Sequence, residues 1–147
     1  MAYHEQADLV PRVISSVEFL QLVEDTDADE VSEDGVALYE SERADADALI
    51  DSYLGTRYEL PLAEVPALVR RLSVRLTRYN LYTRRYPEGV PEGIRTDFGD
   101  AMKLLDRIAS GDVTLGVQPA ASPNTERIVA VSTHAGLFRR ASLKGSF

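Results

Sequence analysis

The stretch VPALVRRLSVRLTRYNLYTRR, residues 65–85, carries two patterns at once. Leu68, Val69, Leu72, Leu76 and Tyr79 recur at the three- and four-residue spacing of one helix face. Arg71, Arg75, Arg78 and Arg85 recur on a neighbouring face. Pro66 suits the first turn of such a helix, with an N-cap near Glu64 or Val65. The predicted helix therefore runs to Arg85, about 30 Å at roughly 1.5 Å per residue. A buried stripe beside a ridge of guanidinium groups needs helices on one side and water or anions on the other.

The remainder of the chain supplies those helices. Ser16–Val23 reads as a short one, with Ser15 or Ser16 as N-cap and Val17, Phe19, Leu20, Leu22 and Val23 as its apolar content. Another begins after Asp34 and Gly35 and runs to Leu54, with Tyr39, Ala46, Leu49, Ile50 and Tyr53 at helical spacing and acids on its other face. Gly55 is expected to end it as a left-handed cap. TRYELPLAEVP (56–66) is an extended link, because Pro61 and Pro66 push Leu60 and Val65 out of helical dihedrals. YPEGVPEG (86–93) is a tight reversal. A fourth helix over residues 94–109 turns Phe98, Ala101, Met102, Leu105 and Ile108 inward, stops at Ser110-Gly111, and sets Lys103 and Arg107 near its negative end.

Residues 113–117 are apolar enough for a short strand. The predicted class is therefore mostly α: a compact four-helix domain over residues 1–117 with a short strand, and an extended C-terminal arm over residues 118–147. The arm ends in LFRRASLKGSF, a basic tail carrying Leu137, Phe138, Arg139, Arg140, Leu143 and Phe147. It holds too little apolar surface to fold alone and is expected to order on a partner.

A chain of 147 residues can hold one domain with a modest core. With no cysteine, disulfide frameworks and thiolate chemistry are excluded. MAYHEQADLV does not read as an export signal, and no stretch approaches the roughly eighteen apolar residues of a membrane helix, so a soluble, cytosolic protein is expected. Net charge is −8, which argues against loose adhesion to nucleic acid.

The charge is unevenly spread: residues 1–64 hold 17 acids against Arg12, Arg43 and Arg57, while residues 65–147 hold 7 acids against 13 bases. Such polarity lets one copy dock head to tail on another, and equally lets the two halves neutralise each other within one subunit. The favoured expectation for the arginine ridge is a contact between subunits, with Asp45, Asp47 and Asp51, joined by Glu40 and Glu42, as carboxylates that arginine can hold in bidentate fashion. A channel lining that touches DNA phosphates without reading sequence is the rival.

EDTDADEVSEDG, residues 24–35, begins like a calcium loop at Asp25, Asp27 and Asp29. It then departs: the sixth position, where the turn needs glycine, is Glu30, and the twelfth, where a bidentate glutamate belongs, is Val36. No metal site is assigned. Glu33 and Asp34 instead suit a helix N-terminus, capping its free amides, and the rest, Asp25 to Glu30, reads as a solvated connector, with an interaction surface as the functional alternative. His4 and His134 stand far apart in sequence and read as surface histidines, without a nucleophile or metal companion. No phosphate-binding glycine loop is present, and Asp45 and Asp47 face different directions on a helix, so no catalytic residue is assigned. Tyr53 and Tyr79 read as core residues ahead of base-stacking platforms.

Taken in order, DLVPRV (8–13), FLQLVEDTDADE (19–30), ALIDSYLGTRYELPL (48–62), the 65–85 helix, RTDFGDAMKLLDRIASGDVTLGV (95–117) and the terminal LFRRASLKGSF resemble one family. It is that of the head-tail joining proteins of Mu-like phages and prophages. The most specific piece is IDSYLGTRYELPL followed by the PALxRRL helix. The resemblance implies a virion neck component assembled in the host cytoplasm: a mostly helical connector subunit arranged as a homo-oligomeric ring, expected to be a dodecamer, beneath the portal protein. Such a ring extends the channel for packaged DNA and docks a tail terminator or stopper. It implies no cofactor and carries over no catalytic residue. In that family the acidic loop is often richer in glycine and closer to a calcium loop, from which Glu30 and Val36 depart. A small DNA-binding or regulatory protein using the arginine-rich helix and basic tail is the alternative.

Overall fold

The computed structural model describes residues 1–120. Its helices are α1 (Gln6–Leu9), α2 (Ser16–Val23), α3 (Glu33–Leu54), α4 (Ala67–Arg85) and α5 (Glu92–Ser110). The mostly helical class expected from sequence is what the chain adopts. α1 is an addition to the four expected helices, a single turn too short to show a hydrophobic period.

The packing is organised round α4, and its sequence shows why. At about 100° per residue, Val69, Leu72 and Leu76 fall on one side, Ser73 and Thr77 on the next, Val74 and Leu81 after them, and Arg71, Arg75 and Arg78 on the last. The first group joins Ala46, Ile50 and Leu54 of α3 and Ala101, Leu105 and Ile108 of α5 in one apolar core. The third joins Leu9, Ile14, Phe19, Leu22, Val23 and Tyr39 in a second core beneath α1 and α2. Ser73 and Thr77 lie buried on the seam between the two. Arginines therefore occupy the remaining strip of an otherwise enclosed helix.

Helix ends follow local chemistry, with some corrections. Ser15 caps α2 by accepting from the Glu18 N–H at 3.1 Å. Ser32 caps α3, accepting from Gly35 N–H at 3.1 Å, so the cap is the serine and not the acids that follow it. Glu33 and Asp34 then occupy the first turn, at the positive end of the dipole. Pro66 is itself the cap residue of α4. Gly55 is right-handed, with φ −59°, because the chain makes a further turn there: the amides of Arg57 and Tyr58 both bond the Leu54 carbonyl. Tyr53 and Tyr79 are half-buried on the rim of the helix packing and not fully enclosed. Val17 is 66% exposed and leaves the apolar face of α2 to Phe19, Leu22 and Val23.

Residues 113–117 alternate inward and outward, with Val113, Leu115 and Val117 packed on the first core, but the path bends at Gly116, φ 74°. No strand partner lies beside them among the described residues, so the expected strand forms no ladder. Leu115 N–H donates to the Tyr58 hydroxyl at 3.1 Å, and Ala120 N–H donates to the Arg57 carbonyl at 2.9 Å.

Gly111 closes α5 in the left-handed region, φ 93°, beneath the Arg57 guanidinium, whose Nη1 donates to the Ser110 carbonyl at 3.2 Å. A Cβ there would lie 1.6 Å from Nη1. Gly111→Ala is expected to cost about 1–2 kcal/mol from backbone strain alone, read as a lower melting temperature. Because the displaced guanidinium adds to that, Arg57→Ala in the same background should recover only the steric part.

Candidate functional site: an arginine groove and an acidic patch

Arg71, Arg75 and Arg78 line one side of an open groove of about 540 Å³. Arg70 and, from the loop after α1, Arg12 complete a set of five guanidinium groups. Three of the five meet carboxylates in the same chain: Arg12 and Arg70 reach Asp8 at 3.5 and 4.0 Å, and Arg78 reaches Asp97 at 3.7 Å. Arg71 and Arg75 meet none among the described residues. Between the charges the groove presents Val13, 41% exposed, above the buried Val74 of the second core. Arg85, expected on the same ridge, sits apart at the end of α4, where it and Arg84 hold Asp25 at 3.5 and 3.0 Å.

The acids of α3 do not face this groove within the subunit. Asp47 is 3% exposed and accepts the Tyr3 N–H at 3.0 Å and the Ser73 hydroxyl, so it is not available to another chain in the folded subunit. Asp51 accepts the Tyr3 hydroxyl, and Glu40 pairs with Arg43. Glu42 is half-buried, its pKa raised first by burial and then by Asp45, against a smaller lowering by Arg84. Asp45 alone of the three expected aspartates is exposed and unengaged among the described residues.

Further exposed carboxylates lie in the connector and at the start of α3: Asp27, Asp29, Glu30, Glu33 and Asp34 have no hydrogen-bond or ion-pair partner among the described residues. The connector carrying them is fixed at both ends, by Asp25 on the two arginines and by Glu24 Oε1, which accepts from the Ser32 amide at 2.6 Å and its hydroxyl at 2.8 Å. Leu137, Phe138, Arg139, Arg140, Leu143 and Phe147 lie outside the described residues.

Against known proteins, residues 3–132 match the family model described as Bacteriophage Mu, Gp36. The chain belongs to this family of Mu-like phage proteins. It is similar to the Mu-like prophage FluMu protein gp36 of Haemophilus influenzae, 41% identical over 73 residues, a match spanning 50% of this chain and about half (49%) of that protein. It is also similar to Gene product J of Escherichia phage Mu, 35% identical over 116 residues covering 77% of each chain. The match to the gp36 family thus includes the groove, the acidic connector and the buried seam between the cores.

That seam holds a serine, a histidine and an aspartate, and their order decides what they do. Contrary to the surface histidine expected from sequence, His4 is 2% exposed. Its Nδ1 lies 2.7 Å from Ser73 Oγ and its Nε2 lies 3.1 Å from the Tyr39 hydroxyl. Since Ser73 donates to Asp47, all groups are satisfied by one chain of donors: Tyr39 to His4, His4 Nδ1–H to Ser73, Ser73 to Asp47. The serine, not the histidine, stands in the middle, and its proton points to the buried Asp47 carboxylate while the imidazole donates to it, the reverse of a histidine-activated nucleophile. At 0% exposure, the Ser73 hydroxyl is also out of a substrate's reach. The network instead fastens the N-terminal segment across α3 and α4. Sequence gave little warning of it, beyond two small polar residues at positions 73 and 77 of an apolar helix.

Proposed function

We propose that this Mu-like phage protein is a structural, non-catalytic component of the virion neck. In this reading, copies form a ring, a dodecamer by resemblance, beneath the portal protein. The ring lengthens the DNA channel and docks a tail terminator or stopper, with the packaged DNA passing through it without sequence-specific contact. No membrane takes part, and the subunits assemble in the host cytoplasm. The observation that carries the reading is electrostatic: among the described residues, a folded subunit leaves Arg71 and Arg75 of the groove and an acidic patch unpaired on separate parts of its surface. Complementary potentials of that kind steer and register association between copies.

Particles assembled without this protein are expected to be DNA-filled heads and detached tails in electron micrographs, and supplying the full chain in trans should restore joined virions. Joined, infectious particles in its absence would overturn the proposal. The DNA-binding alternative predicts a strongly salt-dependent gel shift by the purified monomer, because each phosphate neutralised releases counterions.

A further inference from the structure

The arginine groove carries the furthest-reaching inference. Its chemistry calls for an occupant that is anionic yet apolar in part, since the exposed Val13 lies among the guanidinium groups and Asp8 and Asp97 border them. A nucleic-acid backbone offers phosphates to the arginines but nothing to Val13, and it would meet both carboxylates unfavourably. The chain's own C-terminal residues do not fit by charge, since residues 121–147 contain Arg127, Arg139, Arg140 and Lys144 against Glu126 alone.

A segment of the required kind exists elsewhere on the same polypeptide. Val36 is 42% exposed and stands beside Glu33 and Asp34 on the first turns of α3, just after Asp29 and Glu30. These four carboxylates have no partner among the described residues. The connector leading to them is tied by Asp25 to Arg84 and Arg85, nine and ten residues beyond Arg75 and hence about 14–15 Å further along α4. Groove and patch are thus different regions of one surface. When each copy gives its patch to one neighbour and its groove to another, the contact is heterologous and builds rings or filaments, the arrangement that the neck reading requires.

We infer that the groove built on Arg71, Arg75 and Val13 receives the acidic connector and first turns of α3, centred on Glu33, Asp34 and Val36, from a second copy of this chain. The inference rests on the self-association contained in the neck reading and names the surfaces that perform it. It also moves the acidic partner from the middle of α3, where Asp47 and Asp51 are already engaged, to its beginning.

The test is a pair of charge-reversed full-length proteins studied by sedimentation. Arg71→Glu/Arg75→Glu makes the groove acidic, and Glu33→Arg/Asp34→Arg makes the patch basic. Each alone is expected to self-associate roughly a hundredfold more weakly than the unaltered chain, because like charges then face each other. Mixed in equal amounts they are expected to co-assemble, since each contact again joins opposite charges. Asp29→Lys/Glu30→Lys repeats the patch reversal away from the helix start, in case arginines at that end disturb the fold, which circular dichroism reports.

Folded variants that associate like the unaltered chain, or that fail to recover on mixing, overturn the inference. So does a groove variant that loses only DNA binding. In those cases a normal ring on the portal leaves the neck reading standing, whereas an unaltered chain that never self-associates, even with portal present, removes both.

Discussion

Asp47→Ala is expected to lower folding stability by about 3 kcal/mol, because it strands two buried donors at once. The Tyr3 N–H and the Ser73 hydroxyl both end on its carboxylate, which is 3% exposed at the seam between the two cores. Burial raises the Asp47 pKa, while the bonds from Ser73 and Tyr3 and the charge of Arg43 oppose that rise. The carboxylate is therefore held at a cost that its partners offset, and removing it leaves their half of the cost behind. Urea unfolding should show a lower midpoint with an unchanged slope. For a domain of ordinary stability, about 5–15 kcal/mol, that is a large share. Asp47→Asn keeps one acceptor oxygen and should lose about half as much. A loss under about 1 kcal/mol in the alanine variant would mean that desolvation cancels the bonds, contrary to this account.

The second large effect is acid destabilisation through His4. Burial first, and the Arg43 charge second, lower its pKa from 6.5 to about 4, against a smaller opposing pull from Asp8. The unfolded chain thus binds a proton in a window where the folded chain does not. The contribution is complete above the unfolded value of 6.5 and is lost as pH falls towards about 4, a difference of about 3 kcal/mol in all. Tyr39 keeps its proton throughout, its own pKa pushed up to about 12 chiefly by burial. Asp47, with its pKa raised above 3.8, acts with the opposite sign as pH falls through that raised value towards 3.8, since the folded state takes up its proton first. Protonating His4 would also set a new N–H against the Tyr39 oxygen, breaking the run of donors. Melting temperature should fall between pH 6.5 and pH 4, and His4→Gln should flatten that part of the profile. An imidazole that titrates near 6.5 in the folded protein, followed by NMR, would contradict the prediction.

Helices whose apolar residues recur at a fixed short spacing were legible without any structure. The start of α2 at Ser16 and the stop of α5 at Gly111 depend on residues within one turn of the boundary. Those are the cases in which backbone geometry and a nearby cap suffice. The grouping of Arg71, Arg75 and Arg78 was legible for the same reason, since it is a matter of helical period. The expected strand at residues 113–117 shows the limit: its alternation was real, but a ladder needs a second strand, and only Tyr58 and the core lie beside it.

What tertiary structure alone decided is which charges remain free. Asp45 and Asp47 are two positions apart in sequence, yet one is exposed and the other is consumed by Tyr3 and Ser73, partners 44 and 26 residues away. His4 looked solitary because its companion Ser73 lies 69 residues along the chain. Arg12 and Arg70 joined the groove only when the α1 turn folded against α4. Periodicity is a property of neighbouring residues and so is written in the sequence. Satisfaction of a charge or a polar hydrogen depends on what the whole fold brings within about 3 Å, and no local pattern encodes it.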